Sequence, residues 1–385
     1  MIKKEGKPKT ASAATGGPDA PFGSNCVRLS GREWIAAAII LSAAFCFAPA
    51  LWERIEKFEP GPDYRLPYVS GYDYSLYGRY CRWTRKNSDA LVIGDSVVWG
   101  HYVDRDGTLS HYLGQNAAGP RFANMGVDGT HPAALAGLLR YYGRAVTGGK
   151  VVLHLNPLWM TSKKQDLQTE KEFRFNHSRL VPQFFPRIPC YKAGFSKRLS
   201  VAVERYLPFS AWTSHLRISY FDNMDLPAWT VEHPYANPLK AVTLVPPGDE
   251  SRKQDEATGR SERAAAPGGM DWVELEGSLQ WRFFRDSIKI LRARGNTVFV
   301  LVGPFNEHRM GAQDLAIYRK MQGGIEAWLR QNDVPYLMPP ALPAALYVDA
   351  SHPVAEGYAS LAGQLLRNAS FRSLILDEPG ALPSD

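Results

Sequence analysis

Cysteine is scarce in this chain, four in 385 residues, too few for a scaffold built on disulfides. Cys26 and Cys46 fall in the leader and in an apolar run, which leaves Cys81 and Cys190 either to pair or to stand as two free structural thiols. No Cys/His spacing resembles a metal site, so neither a metal nor a cofactor is expected. No internal repeat is present, which excludes a solenoid. The formal charge is +7, but the cations are scattered and form no basic stripe interleaved with aromatics. Nucleic acid is therefore discounted as a partner.

One long uncharged run stands out. Between Glu33 and Glu53 lie nineteen residues, Trp34 to Trp52, mostly Ala, Ile, Leu and Phe. As a helix they span about 28 Å, close to the hydrocarbon thickness of a bilayer. Tryptophan at each end suits the two interfaces, and the cations upstream (Lys3, Lys4, Lys7, Lys9, Arg28 and Arg32) suit the cytoplasmic side. The expected layout is a disordered cytoplasmic tail over 1–33, a transmembrane anchor over 34–52, a juxtamembrane segment over 53–89 and an external domain over 90–385. The bilayer is thus the first expected partner. Ala48-Pro49-Ala50 offers a competing reading as the cleavage site of a signal peptide. The 33-residue leader weighs against it, and the anchor is favoured. A buried soluble helix ranks third, because the run has no polar face.

From Ala90 onward the pattern alternates between strand and helix, the mark of a parallel sheet covered on both faces. Leu91–Ile93, Val151–Leu155, Thr297–Val302 and Val334–Met338 read as strands, the first three as buried ones. Helices are expected near 107–115, from Pro132 to about Val146, over Asp271–Arg294, over 313–331 and over 354–367. Asp271 serves as an N-cap and Gly295 as a stop for the third of them. Residues 160–270 break the rhythm with aromatics and prolines and no clear period. They are expected to fold onto the core as an insertion roofing a crevice, with 246–270 an exposed linker. The tyrosines at 64, 68, 72, 74, 77 and 80 are expected to pack against the domain edge. The fold class is α/β, three layers around a parallel sheet.

The chemistry centres on Ala90-Leu91-Val92-Ile93-Gly94-Asp95-Ser96. A serine just past the carboxyl end of such a strand faces the crevice where ligands bind. Its hydroxyl is a weak nucleophile until a base takes the proton. Asp349-Ala350-Ser351-His352 supplies a carboxylate and an imidazole three residues apart, within one turn, so Asp349 orients Nδ1–H and leaves Nε2 for Ser96. Oxyanion donors are sought in the Ser96 backbone N–H, the backbone N–H of a glycine in the Asn124–Gly129 turn and the Asn156 side chain. Each residue has a bland counterpart. Ser96 would serve as a helix cap, Asp349 and His352 as a turn, Gly129 as a turn glycine and Asn156 as a strand-end cap. His154 reads as strand packing and Trp159 as roof packing; His101, His131 and His308 carry no assigned role.

These residues resemble the SGNH (GDSL-like) hydrolases. Gly94-Asp95-Ser96 matches the first block, Asn124-x-Gly126-x-x-Gly129 the second, Asn156 the third and Asp349-x-x-His352 the fourth, in family order. The third block departs from the usual Gly-x-Asn-Asp, reading His154-Leu155-Asn156-Pro157-Leu158-Trp159. That Pro-x-Trp pattern is similar to the membrane-anchored D-alanyl transfer proteins of teichoic acid biosynthesis; polysaccharide O-acetyltransferases of the alginate type share the plan. The resemblance implies a flavodoxin-like three-layer fold, a catalytic triad of Ser96, His352 and Asp349, and Gly129 as the glycine that donates to the oxyanion. It also implies acyl transfer, such as O-acetylation, to a cell-surface or exported polysaccharide. A membrane-bound O-acyltransferase partner and a bacterial inner-membrane location, with the domain outside, follow from it. An esterase that removes acyl groups from glycans or lipids is the alternative, and a non-catalytic assembly protein is the third.

Overall fold

The computed structural model describes residues 29–116, 121–248 and 270–376. Residues 1–28 of the expected tail, Cys26 and most of the 246–270 linker lie outside them. The chain divides into two units, Met1–Ala48 and Pro49–Asp385. Through the first and into the second runs α1, Gly31–Ile55, with Pro49 inside it. Its most apolar window has a mean hydropathy of 2.1, and among the described residues it is the one helix long and apolar enough to cross a membrane. Its side chains are exposed almost throughout, so it needs an apolar surrounding that the described residues do not provide.

The second unit holds the rest. In chain order come α2 (Tyr74–Asn87), β1 (Ala90–Gly94), α3 (Ser96–Trp99), α4 (Leu109–Asn116), β2 (Phe122–Gly126), α5 (Pro132–Tyr141) and β3 (Lys150–Leu155). The insertion carries α6 (Phe195–Glu204), α7 (Pro208–Tyr220), α8 (Leu226–Glu232) and α9 (Pro238–Ala241). The alternation then resumes with α10 (Leu279–Ala293), β4 (Thr297–Val302), α11 (Ala312–Gln331), β5 (Tyr336–Leu337), α12 (Ala355–Arg367) and α13 (Ala369–Ile375). The five strands are all parallel, in the order β2-β1-β3-β4-β5.

Strand residues point alternately to two helical layers. Leu91, Ile93, Val151, Leu153, Val298 and Val300 share one core with α2, α5, α10 and α11. Val92, Val152, Phe299 and Leu301 share the other with α4, α12 and α13. The near-continuous apolar strands follow from burial on both faces.

Several elements differ from expectation, each for a local reason. The helix expected from Asp271 begins at Leu279, with Ser278 as its N-cap. The buried Asp166 carboxylate accepts from the Ser278 hydroxyl and from the N–H groups of Leu279 (2.9 Å) and Gln280 (3.0 Å). An acceptor from the insertion thus satisfies the free first-turn donors and fixes the start. Helix α5 stops at Tyr141, because the Arg294 guanidinium takes the carbonyls of Leu139 and Gly143 at 3.0 and 2.9 Å. The tyrosine-rich segment contains α2, capped by Asp73, whose Tyr74, Tyr77 and Tyr80 are buried. In the insertion Pro208, Pro227 and Pro238 open helices instead of breaking them, as proline does in a first turn. Among the described residues, the earlier part of the insertion packs on the core: Leu180 sets its backbone against Gly137 of α5, and Asn176 lies beside Gly129. Helix α7 instead packs on α2. Cys81 and Cys190 are free, buried thiols in separate core clusters. Burial pushes them up to about 12 and about 11, so neither is a ready thiolate.

Candidate active site

In an open parallel sheet the ligand crevice forms at the carboxyl ends of the strands where the winding reverses. Here that point lies between β1 and β3, since β2 flanks β1 on one side and β4 flanks β3 on the other. Ser96 follows β1, and Asn156 follows β3. Ser96 occupies the first position of α3, and the Asp95 carboxylate caps that helix by accepting the Val97 N–H at 3.1 Å. The second block seats the same turn. Asn124 Nδ2 donates to the Val98 carbonyl at 2.9 Å, and its Oδ1 accepts from the Gly126 N–H at 3.0 Å. A Cβ on Gly126 would lie 2.3 Å from the Trp99 nitrogen, so only glycine lets the end of β2 approach α3 this closely.

The fourth block folds back onto this turn. His352 Nε2 lies 2.8 Å from Ser96 Oγ, and His352 Nδ1 lies 2.8 Å from Asp349 Oδ2. A carboxylate on Nδ1 requires N–H there, which leaves the Nε2 lone pair facing the hydroxyl. Asp349 also accepts the backbone N–H groups of Ser351 and His352, both at 2.9 Å. Asn306, after β4, steadies the turn by donating to the carbonyls of Asp349 (3.1 Å, side chain) and Ala350 (2.8 Å, backbone). Ser96 and His352 are each 8 % exposed, so both are largely screened yet reachable.

Burial pushes the Asp349 carboxyl up, but its bonds to the His352 ring and to two backbone N–H groups outweigh that and hold it at about 2. Burial likewise pulls the His352 imidazole down, and the Asp349 bond and charge, helped by Asp95 and Asp128, carry it above its ordinary value. The arrangement has an ionised acid, a base with raised affinity for a proton and a hydroxyl, in line.

Asp95, part of the first block, is the centre of a second group whose function was not legible in sequence. Its Oδ2 accepts from Asn156 Nδ2 at 2.8 Å and from the Trp159 indole at 2.9 Å. His154 donates from Nε2 to the Gly303 carbonyl at 2.9 Å, while its Nδ1 lies 3.2 Å from Asp95 Oδ1 without an aligned hydrogen bond. Burial pushes the Asp95 carboxyl up, and His154, Asn156 and Trp159 together bring it below the ordinary range. Thus Trp159 and His154, expected as packing, both attend the residue that caps the Ser96 turn.

The three expected oxyanion donors are differently placed. The Ser96 N–H, in the first turn of α3, has no acceptor among the described residues, and the same is true of the Gly129 N–H. Gly129 has φ +68°, and a Cβ there would sit 2.4 Å from Asn176 Nδ2, so a turn glycine is required as well. Asn156 departs from expectation. Its two amide hydrogens are directed at Asp95 and, at 3.3 Å, Ser351 Oγ, and its Oδ1 accepts from the Leu158 N–H at 3.0 Å. With both hydrogens engaged it ties the first block to the fourth and is not free to serve an oxyanion in this arrangement.

Two further side chains adjoin the base. His101 bonds Asp128 at 2.5 Å through Nδ1, and its ring centroid is 5.6 Å from that of His352. The Tyr102 ring meets His352 edge-on at 5.3 Å. No sequence spacing announces either, because each lies in a loop that only folding brings beside His352. Comparison with protein-family models and with curated proteins gives no match for this chain.

Proposed function

We propose that this protein is a serine acyltransferase held at a membrane by α1, which moves an acyl group, such as acetyl, through a covalent Ser96 ester. The observation that carries the reading is the contact of Ser96 Oγ with His352 Nε2 at 2.8 Å, with Asp349 on the far side of the same ring. Attack of Ser96 Oγ on an acyl carbonyl passes its proton to His352 Nε2, and Asp349 stabilises the resulting imidazolium. Negative charge then develops on the carbonyl oxygen. The Ser96 and Gly129 N–H groups are the donors left free to meet it, each such donor contributing about 3 kcal/mol. His352 returns the proton to the leaving group, which departs and leaves acyl-Ser96. A hydroxyl enters next, gives its proton to His352 and attacks the acyl carbon; the bond to Ser96 Oγ breaks, His352 returns the proton to that oxygen, and the acyl group leaves as a new ester.

The acceptor hydroxyl is proposed to belong to an exported or cell-surface polysaccharide, on the strength of the family resemblance and of the apolar helix ahead of the domain. The same resemblance supports a bacterial inner-membrane location with the amino terminus inside, and a membrane-bound O-acyltransferase as the partner that delivers acyl groups. Incubation of the full chain in detergent with an acetyl ester and an oligosaccharide tests the reading by mass spectrometry of the glycan. Acetylated glycan that disappears with Ser96→Ala is expected. Release of acetate to water alone, with the glycan unmodified, would make the protein an esterase.

A further inference from the structure

A cavity of about 440 Å³ lies beside the last turns of α1, and none of its lining residues belongs to the Ser96 group. Its walls come from Pro49–Glu56, α2, the end of α5 and α7, so the insertion closes it. Four arginines line it, Arg79, Arg82, Arg144 and Arg205, against two carboxylates, Glu53 and Glu56.

The four cations are not equally occupied. Arg79 is bound to the buried Glu56, and Arg205 donates to the carbonyls of Arg179 and Val181. Arg82 meets Glu53 at 2.6 Å, but both side chains are about half exposed (51 % and 43 %), and such a pair contributes little. Arg144 is exposed, holds its guanidinium 6.0 Å over the Tyr206 ring and pairs with no carboxylate among the described residues. The Trp212 indole N–H, in the cavity wall, has no acceptor among them either.

An apolar stripe leads to the same opening. Phe195, Leu199 and Val203 recur every fourth residue along α6 and are 71 %, 45 % and 48 % exposed, while the helix buries only Val201. Three to four residues is the spacing of one helix face, and an apolar face normally turns to the core. Here it turns outward and runs on to Tyr206, which lines the cavity. Trp52, at the end of the apolar run of α1, lines it too.

We propose that this cavity is a headgroup site for an anionic phospholipid of the leaflet where α1 emerges, the phosphate meeting Arg82 and Arg144 and the acyl chains lying along the Phe195–Leu199–Val203 stripe. Guanidinium suits phosphate through paired charge-assisted hydrogen bonds. The site would hold the insertion against the bilayer. The proposal rests on α1 being a membrane span and is independent of the serine chemistry.

Native mass spectrometry of the full chain in detergent micelles tests it, with phosphatidylglycerol and phosphatidylcholine at equal mole fraction. Retention of phosphatidylglycerol is expected to exceed that of phosphatidylcholine about thirtyfold, the scale for two cationic side chains at an anionic surface. The double variant R82E/R144E is expected to lose that preference, and Leu199→Asp with Val203→Asp to weaken retention. Both arginines are exposed, so an unchanged melting curve marks the double variant as folded. Equal retention of the two lipids by the wild type, or a preference that survives R82E/R144E, overturns the proposal. Displacement of the lipid by an equal concentration of glycerol 3-phosphate also overturns it, since the site would then be one for a free phosphate ester. Flotation with pure phosphatidylcholine vesicles reads the span separately. Both chains are expected to float, so lost flotation marks failure of the span and lost lipid preference marks failure of the site.

Discussion

His352 and His215 are both held by carboxylates, and of these two only His352 is equipped to act as a base. His352 has Asp349 on Nδ1 and a serine hydroxyl on Nε2. His215 has Asp73 on Nδ1 at 2.7 Å and Glu56 on Nε2 at 2.8 Å. Burial pulls the His215 ring down, but the two carboxylates outweigh it and push the ring up to about 10. That imidazolium stays charged through the neutral range and ties α7 to α2 and to the end of α1. A histidine–carboxylate pair is therefore no sign of catalysis by itself. What faces the second ring nitrogen decides: an acid makes an ionic clamp, and a hydroxyl makes a nucleophile.

The contrast can be tested from both sides. The largest effect is expected from Ser96→Ala, which removes the hydroxyl and should lower acyl transfer about 10⁶-fold, to the level of a triad without its nucleophile. Rate assays with an acetyl ester check it. Asp349→Asn should follow, at about 10⁴-fold, because the ring loses its orienting acceptor. The pH profile sharpens this. The neutral ring is the base, so the rate rises as pH rises through the His352 pKa, and in the wild type that inflection lies above the ordinary 6.5. Without the Asp349 charge, burial is opposed only by the more distant Asp95 and Asp128 carboxylates, so the inflection should move down. An inflection that stays in place would detach Asp349 from the base.

His215→Ala should act on stability instead. It leaves Glu56 and Asp73 buried without their shared cation, at a cost of about 3–5 kcal/mol in denaturant unfolding. The sign with pH follows from the direction of each shift. The His215 contribution is complete below its ordinary 6.5 and is lost as pH rises through about 10. Burial pushes the Glu56 carboxyl up, and His215, Tyr220 and Trp52 bring it lower overall. Its contribution is present above the ordinary glutamate range and is lost as pH falls. The wild type should thus weaken toward both extremes, and the variant should lose the alkaline slope. The smallest effect is expected at Trp159→Phe. One donor to the Asp95 carboxylate disappears, for about 1.5–3 kcal/mol of stability, with the pH inflection unmoved.

Part of this was legible because local rules applied. Apolar runs such as Thr297–Val302 are buried on both sheet faces, so the strands announce themselves. Ser96, Asp349 and His352 sit in short motifs whose spacing reflects a single turn each. The rest depends on partners remote in the chain. Asp166 sets where α10 begins from 112 residues upstream of Ser278, and Glu56, Asp73 and His215 become one cluster only once α2 and α7 pack. Asn156 stands at the end of β3 as an oxyanion donor would, and what sequence does not reveal is that its hydrogens are engaged by Asp95 and Ser351. The insertion helices were hidden by their own prolines and by the outward stripe of α6, a pattern that burial-based reading does not seek.

The most direct test of the central claim is peptide mass spectrometry of the full chain after brief exposure to p-nitrophenyl acetate. An acetyl group on Ser96, present in the wild type and absent in His352→Ala, is the predicted result. An unmodified Ser96, or equal acetylation without His352, would contradict the account.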